Sequence, residues 1–138
     1  MKRATLAALL LLSGCTAETA LDGGASLRHT CAPNDAGAVL LTVPASSSDY
    51  PQLRMVVWRS DVAGATVTVP GDGGQNGNAL WCTAGARCDE VTTATAAFGK
   101  ARADGSMDVL VDARLPDGSR FREARRAQWQ AVPSVLCG

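Results

Sequence analysis

Met107-Asp108-Val109-Leu110-Val111-Asp112-Ala113-Arg114, followed by Leu115-Pro116-Asp117-Gly118, is the stretch that decides the fold. Successive side chains of an extended strand point to opposite faces. Val109, Val111 and Ala113 therefore share one face, and Asp108, Leu110 and Asp112 share the other. Pro116 suits the second position of a tight turn, and Gly118 supplies the left-handed backbone that closes a hairpin. The return leg, Ser119 to Ala131, alternates Ala127, Trp129 and Ala131 with Arg126, Gln128 and Gln130. The doublet Arg125-Arg126 interrupts that alternation and predicts a bulge.

Working outward, Val91 to Phe98 admits two readings. Val91, Ala94, Thr95 and Phe98 match helical spacing, with Asp89 and Gly99 as caps. Three threonines and the flanking strands favour a strand, the reading adopted. Ala79 to Thr83 is a short strand carrying Trp81 and Cys82. Ala65 to Val69 alternates and is stopped by Pro70. Gln52 to Arg59 places Leu53, Met55 and Val57 on one face, with Arg54, Val56 and Trp58 on the other. Gly37 to Val43 is apolar on both faces and reads as a buried strand ended by Pro44. Gly71 to Asn78, GDGGQNGN, is the longest loop, and its glycines raise the cost of ordering it, so mobility is expected. Seven or so short strands predict an all-β domain over 28–138, a small antiparallel β-sandwich or barrel.

Besides Cys15 there are four cysteines, Cys31, Cys82, Cys88 and Cys137. An even number in an exported chain reads as two disulfides, and three connectivities are open. The favoured one pairs Cys82 with Cys88 across a short loop. It pairs Cys31 with Cys137, tying the first strand to the chain end. A metal site is disfavoured because Cys82 and Cys88 lack close zinc-ligand spacing and His29 is the sole histidine.

The export assumption rests on the start of the chain. Lys2 and Arg3 form a short positive region, and Ala4 to Leu12 is an apolar run far short of the roughly 20 residues that span a bilayer. Leu12-Ser13-Gly14-Cys15 then resembles the lipobox of bacterial lipoproteins. The resemblance implies a signal peptide over 1–14, cleavage before Cys15, and three acyl chains on Cys15. One acyl chain binds a membrane only marginally, so three imply a permanent anchor. Thr16 after the Cys, where the family uses Asp for inner-membrane retention, implies the outer membrane. Thr16 to Leu27 is small and polar, and 15–27 reads as a flexible tether. The segment from Cys88 through Pro116-Asp117-Gly118 to Ala127-Gln128-Trp129 loosely resembles short lipoproteins of high-GC Gram-negative bacteria, a likeness that implies no activity.

The precursor is formally neutral; without Lys2 and Arg3 it holds eleven basic and thirteen acidic side chains. That balance suggests no nucleic-acid partner. Nothing points to a catalytic set or a cofactor. His29 lies at the tether junction, no G-x-S-x-G elbow exists, and Asp108 and Asp112 are roughly 13 Å apart along a strand. That exceeds the roughly 5 to 9.5 Å of a glycosidase pair. Asp72, Asn76 and Asn78 offer oxygen atoms to calcium but lack the closing acid of an EF-hand loop. Arg120, Arg122, Arg125 and Arg126, with Glu123, read as a solvated edge strand that resists aggregation, or as a patch for acidic envelope polymers. Among the tryptophans, Trp129 between alanines reads as core, and Trp81 is expected to pack on the disulfide. Trp58, with Arg54 and the Asp72 loop, is the candidate ligand surface.

The expectation is a non-enzymatic envelope lipoprotein, anchored through Cys15, with an interaction or structural role in which it contacts another protein or envelope component. The alternatives are a glycan-binding module built on Trp58 and, further off, an inhibitor of an exported enzyme.

Overall fold

Alternating small and branched residues give the chain one apolar face per strand, and a single curled sheet buries those faces against one another. The computed structural model describes residues 21–131 and 135–137. Its strands are β1 (Leu21–Cys31), β2 (Gly37–Pro44), β3 (Gln52–Val57), β4 (Thr66–Val69), β5 (Gly77–Ala84), β6 (Arg87–Glu90), β7 (Thr93–Phe98), β8 (Met107–Arg114) and β9 (Arg120–Trp129). They form one sheet in the order β4-β7-β8-β9-β1-β2-β3-β5-β6, curled into a half-barrel. Leu27, Leu41, Leu53, Met55, Val69, Val109 and Val111 are fully buried inside it.

The deciding hairpin forms as expected. Arg114 pairs with Arg120 and Met107 with Ala127, in unbroken antiparallel register. Gly118 takes φ +86°, and its N–H donates to the Leu115 carbonyl at 2.9 Å. Val91–Phe98 is strand over Thr93–Phe98.

Four expectations are corrected. The chain is not a tether through Leu27: it is strand from Leu21, and β1 is the fifth of nine strands, at the sheet's centre. Ladders on both sides supply the ordering that the small, polar sequence does not advertise, and Ala25 and Leu27 are buried. The sheet is not wholly antiparallel, because β1 runs parallel to β9. That pair joins two antiparallel arms, β4-β7-β8-β9 and β2-β3-β5-β6. The bulge is not at Arg125-Arg126. The register slips on β1 between Leu21 and Ala25, where Gly24 adopts φ +89°. An added Cβ there would be strained in that backbone and would touch the Pro44 ring at 3.4 Å. Finally, β9 is no edge strand; the edges are β4 and β6.

Both disulfides take the favoured pairing. Cys31–Cys137 links residues 106 apart in sequence, and Cys82–Cys88 fastens β5 to β6. In the chain-entropy model a loop of about a hundred residues is worth nearly 5 kcal/mol. The signal peptide, Cys15 and the first part of the tether lie outside the described residues.

Candidate ligand-binding cleft at the barrel seam

The chain leaves β3 at Val57, crosses to the opposite edge of the sheet to form β4, and returns to form β5 beside β3. Both crossings pass the same end of the β3–β5 pair, where Val57 faces Gly77. Trp58 opens the outward crossing and Asn76 closes the return one, and the Trp58 N–H donates to the Asn76 carbonyl at 3.0 Å.

The glycine-rich loop is shaped around Asn76. Its N–H donates to the Pro70 carbonyl at 3.0 Å, and its side-chain Nδ2 donates to the Thr68 carbonyl at 3.1 Å. These bonds tie the loop back onto β4 and draw that edge of the sheet toward β3 and β5. Gly71, at φ +74°, admits nothing larger, because a Cβ would lie 2.2 Å from Asn76 Nδ2. A short 3-10 turn, Asp72–Gly74, follows, and Gln75 is left exposed beside Trp58.

Two open clefts meet at Trp58 and Gln75. One, of about 300 Å³, is completed by Pro33 and Asn34 of the β1–β2 turn. The other, of about 170 Å³, runs along Arg59, Thr66, Thr68 and Asn76 at the seam. The β1–β2 turn is itself braced. The Ala32 N–H donates to the Ala36 carbonyl at 2.8 Å, and Asn34 Oδ1 accepts from the Ala36 N–H at 3.3 Å. Asp35 sits there at φ +60°, a left-handed backbone that Asp tolerates better than most residues.

Trp58 is thus where the sequence points for a ligand surface, but its expected companions are elsewhere. Arg54 lies farther along the same face of β3 and donates to the Tyr50 hydroxyl at 3.1 Å. The Gln52 amide oxygen, turned toward it, accepts from its Nε and Nη2 at 2.8 and 2.9 Å. Asp72 is exposed on the loop and does not line either cleft. Gln75, Asn34 and Pro33 take those places. Pro33-Asn34-Asp35 has the composition of a turn, a signal the sequence reading did not use, whereas Gln75 carried no signal beyond its position among glycines.

The other two tryptophans are half-buried and pack against the core. Trp81 meets Phe121 across the barrel interior, ring centroids 5.1 Å apart. It does not pack on the disulfide as expected, because its neighbour Cys82 points to the opposite face of β5. Trp129 packs against the core, and His29 stacks on it at 4.4 Å with an interplanar angle of 20°.

The carboxylates of β8 are held by arginines on the outer face. Asp108 pairs with Arg102 at 2.6 Å and with Arg126 at 3.4 Å. Asp112 pairs with Arg120 and, at 3.8 Å, with Arg122. The Arg120 hydrogen bond holds the Asp112 carboxyl below the ordinary carboxylate range, helped by the charges of Arg122 and Arg114. The same contact raises Arg120. Asp104 and Asp117 are lowered chiefly by hydrogen bonds from Ser106 and Ser119.

Arg125 departs from the expected solvated cluster. It lies on the inner face with Phe121 and Ala127 and is only 8% exposed. Its Nη1 sits 2.9 Å from Glu123 Oε2, an ion-pair separation, but without hydrogen-bond geometry. Removing one partner of such a pair leaves a buried charge and typically costs 3–5 kcal/mol.

Comparison with protein-family models, with curated proteins and with solved structures returns no match to the chain.

Proposed function

We propose that this is a lipid-anchored protein of the cell envelope whose β domain contacts another envelope component without catalysing a reaction. The observation that carries the reading is the lipobox Leu12-Ser13-Gly14-Cys15 behind a short basic and apolar leader. Three acyl chains on Cys15 would anchor the chain durably, and Thr16 favours the outer membrane.

The start of β1 at Leu21 refines this. Five residues, Thr16 to Ala20, separate it from Cys15. At 3.3–3.6 Å per residue the spacer reaches at most about 20 Å, so the domain rides close to the bilayer. The non-catalytic part is supported by the engagement of the acid–base groups. Asp108 and Asp112 are bridged by arginines, and His29 is stacked on Trp129.

Intact mass of the chain extracted from native membranes, before and after reduction with alkylation, tests the anchor. The expected species begins at Cys15, carries three acyl chains and releases four thiols only on reduction. Cys15→Ala should leave the protein in the soluble fraction. An unlipidated wild-type chain would overturn the reading.

A further inference from the structure

We infer that the paired clefts around Trp58 form a binding site for an uncharged oligosaccharide. The proposal adds a ligand to the envelope reading and does not rest on the anchor.

The chemistry of the lining selects the ligand. A half-buried indole offers a flat apolar face, which suits the C–H face of a pyranose ring. Around it stand amides and hydroxyls: Asn34, Gln75, Thr66 and Thr68. Amides both donate and accept, which matches neighbouring sugar hydroxyls. Gln75 is exposed, and among the described residues neither its amide nor the Trp58 indole N–H has a hydrogen-bond partner. Among the described residues the lining's one charged side chain is Arg59, whose Nε donates to the Asp61 carbonyl at 2.5 Å, and no carboxylate lines either cleft. A cationic ligand would meet no counter-charge among the described lining residues, and the neutral amides and hydroxyls outnumber the one guanidinium.

The shape favours a linear chain over one ring. The clefts, of about 300 and 170 Å³, share Trp58 and Gln75 as their common wall. Linked rings can therefore occupy both while one stacks on the indole. The site is braced before any ligand arrives. Asn76 fastens the Gln75 loop to β4, and the Asn34 turn is closed by its own hydrogen bonds and lies beside the Cys31–Cys137 bridge. Bracing of this kind lowers the ordering cost of binding.

The test uses the full chain in a zwitterionic detergent whose head group is not a sugar. Cellotetraose, chitotetraose and maltotetraose are titrated separately, read by tryptophan fluorescence and calorimetry. At least one should bind saturably. Trp58→Ala and Gln75→Ala should each weaken that binding by about tenfold or more, an effect of about 1.4 kcal/mol. Leu110→Ser, on the outer face of β8, should leave it unchanged. Gln75 is exposed, so its variant reports on the site even if Trp58→Ala lowers stability. No saturable binding by any of the three up to about 10 mM, beyond the weak end of specific affinities, would overturn the proposal. So would binding that survives both substitutions, or saturable binding of decaproline with none of the tetrasaccharides.

Discussion

Trp81 and Trp58 stand toward opposite ends of the β3–β5 pair, and they have opposite surroundings. Trp81 faces inward and meets Phe121, 5.1 Å away across the barrel. Trp58 follows the last residue of β3 and meets an amide, a turn and open space. The difference comes from topology. At the Trp81 end the two arms of the sheet curl face to face, so a large ring fills interior volume. At the Trp58 end the chain crosses the seam twice, and the polar connections hold the ring at the surface. A tryptophan that fills interior volume contributes to stability; one held open by braced loops is free to contribute to recognition.

The largest expected effect probes what braces the open end. Replacing Cys31 and Cys137 together by Ala should cost about 5 kcal/mol, whereas the Cys82/Cys88 double replacement should cost about 2 kcal/mol, by loop length alone. Cys31 ends β1 at the turn that carries Pro33 and Asn34. The long-bridge variant should therefore also lose saccharide affinity under conditions where it remains folded, and the short-bridge variant should keep it. Denaturant titration and fluorescence binding on both variants check this. Equal losses would mean that the turn does not depend on the bridge.

Trp81→Ala against Trp58→Ala tests the comparison directly. Truncating a ring packed in a core costs about 3–5 kcal/mol. Trp81 is half-buried, so the lower figure, about 3 kcal/mol, is expected for it. Trp58 is also half-buried but does not pack against the core cluster, so Trp58→Ala should cost only about 1 kcal/mol while removing most of the ligand response. Urea midpoints of the two variants decide it. Similar midpoints would place Trp58 in the core and leave the clefts without their purpose.

How much of this was legible follows from where the side-chain pattern speaks. The β8–β9 hairpin was plain, because alternation and the Pro116-Asp117-Gly118 turn are local signals that agree. The disulfide pairing was the favoured one of three open connectivities, and the structure takes it. The central strand β1 was not legible. Leu21-Asp22-Gly23-Gly24-Ala25-Ser26-Leu27 has the composition of a linker, and the register slip at Gly24 hides its period of two. Its order comes from β2, the next strand of the chain, and from β9, which is remote in sequence. Arg125 misled for a related reason. Its alternation was sound, but a charged residue on the inner face looks like a break in the pattern unless Glu123, two residues earlier on the same face, is read as its partner. At the cleft, Trp58 was legible as an aromatic on the less apolar face of its strand. Its companions were not, since Asn34 and Gln75 reach it only through the crossing of the sheet's ends.

The smallest expected effect separates the cleft from the rest of the molecule by pH. The carboxyls held below the ordinary value of 3.8 are Asp104, Asp112 and Asp117. All three lie on β8 or the turns flanking it, and none lines the clefts. A carboxyl whose folded pKa is depressed adds stability that is fully present above its unfolded value. That stability is lost as pH falls through the folded one. Folding stability should therefore be insensitive to these groups from neutrality down to about pH 5 and should decline below about pH 4. Asp112→Asn removes the arginine-held member and should make that decline shallower, because its side chain no longer takes up a proton on unfolding. Saccharide affinity should stay level until unfolding begins, since no carboxylate among the described residues lines the clefts. Denaturant midpoints and binding titrations across the same acidic series make the comparison. Affinity that fell while the protein was still folded would place a titrating group at the cleft, and the line drawn between the charged outer face and the neutral seam would be in the wrong place.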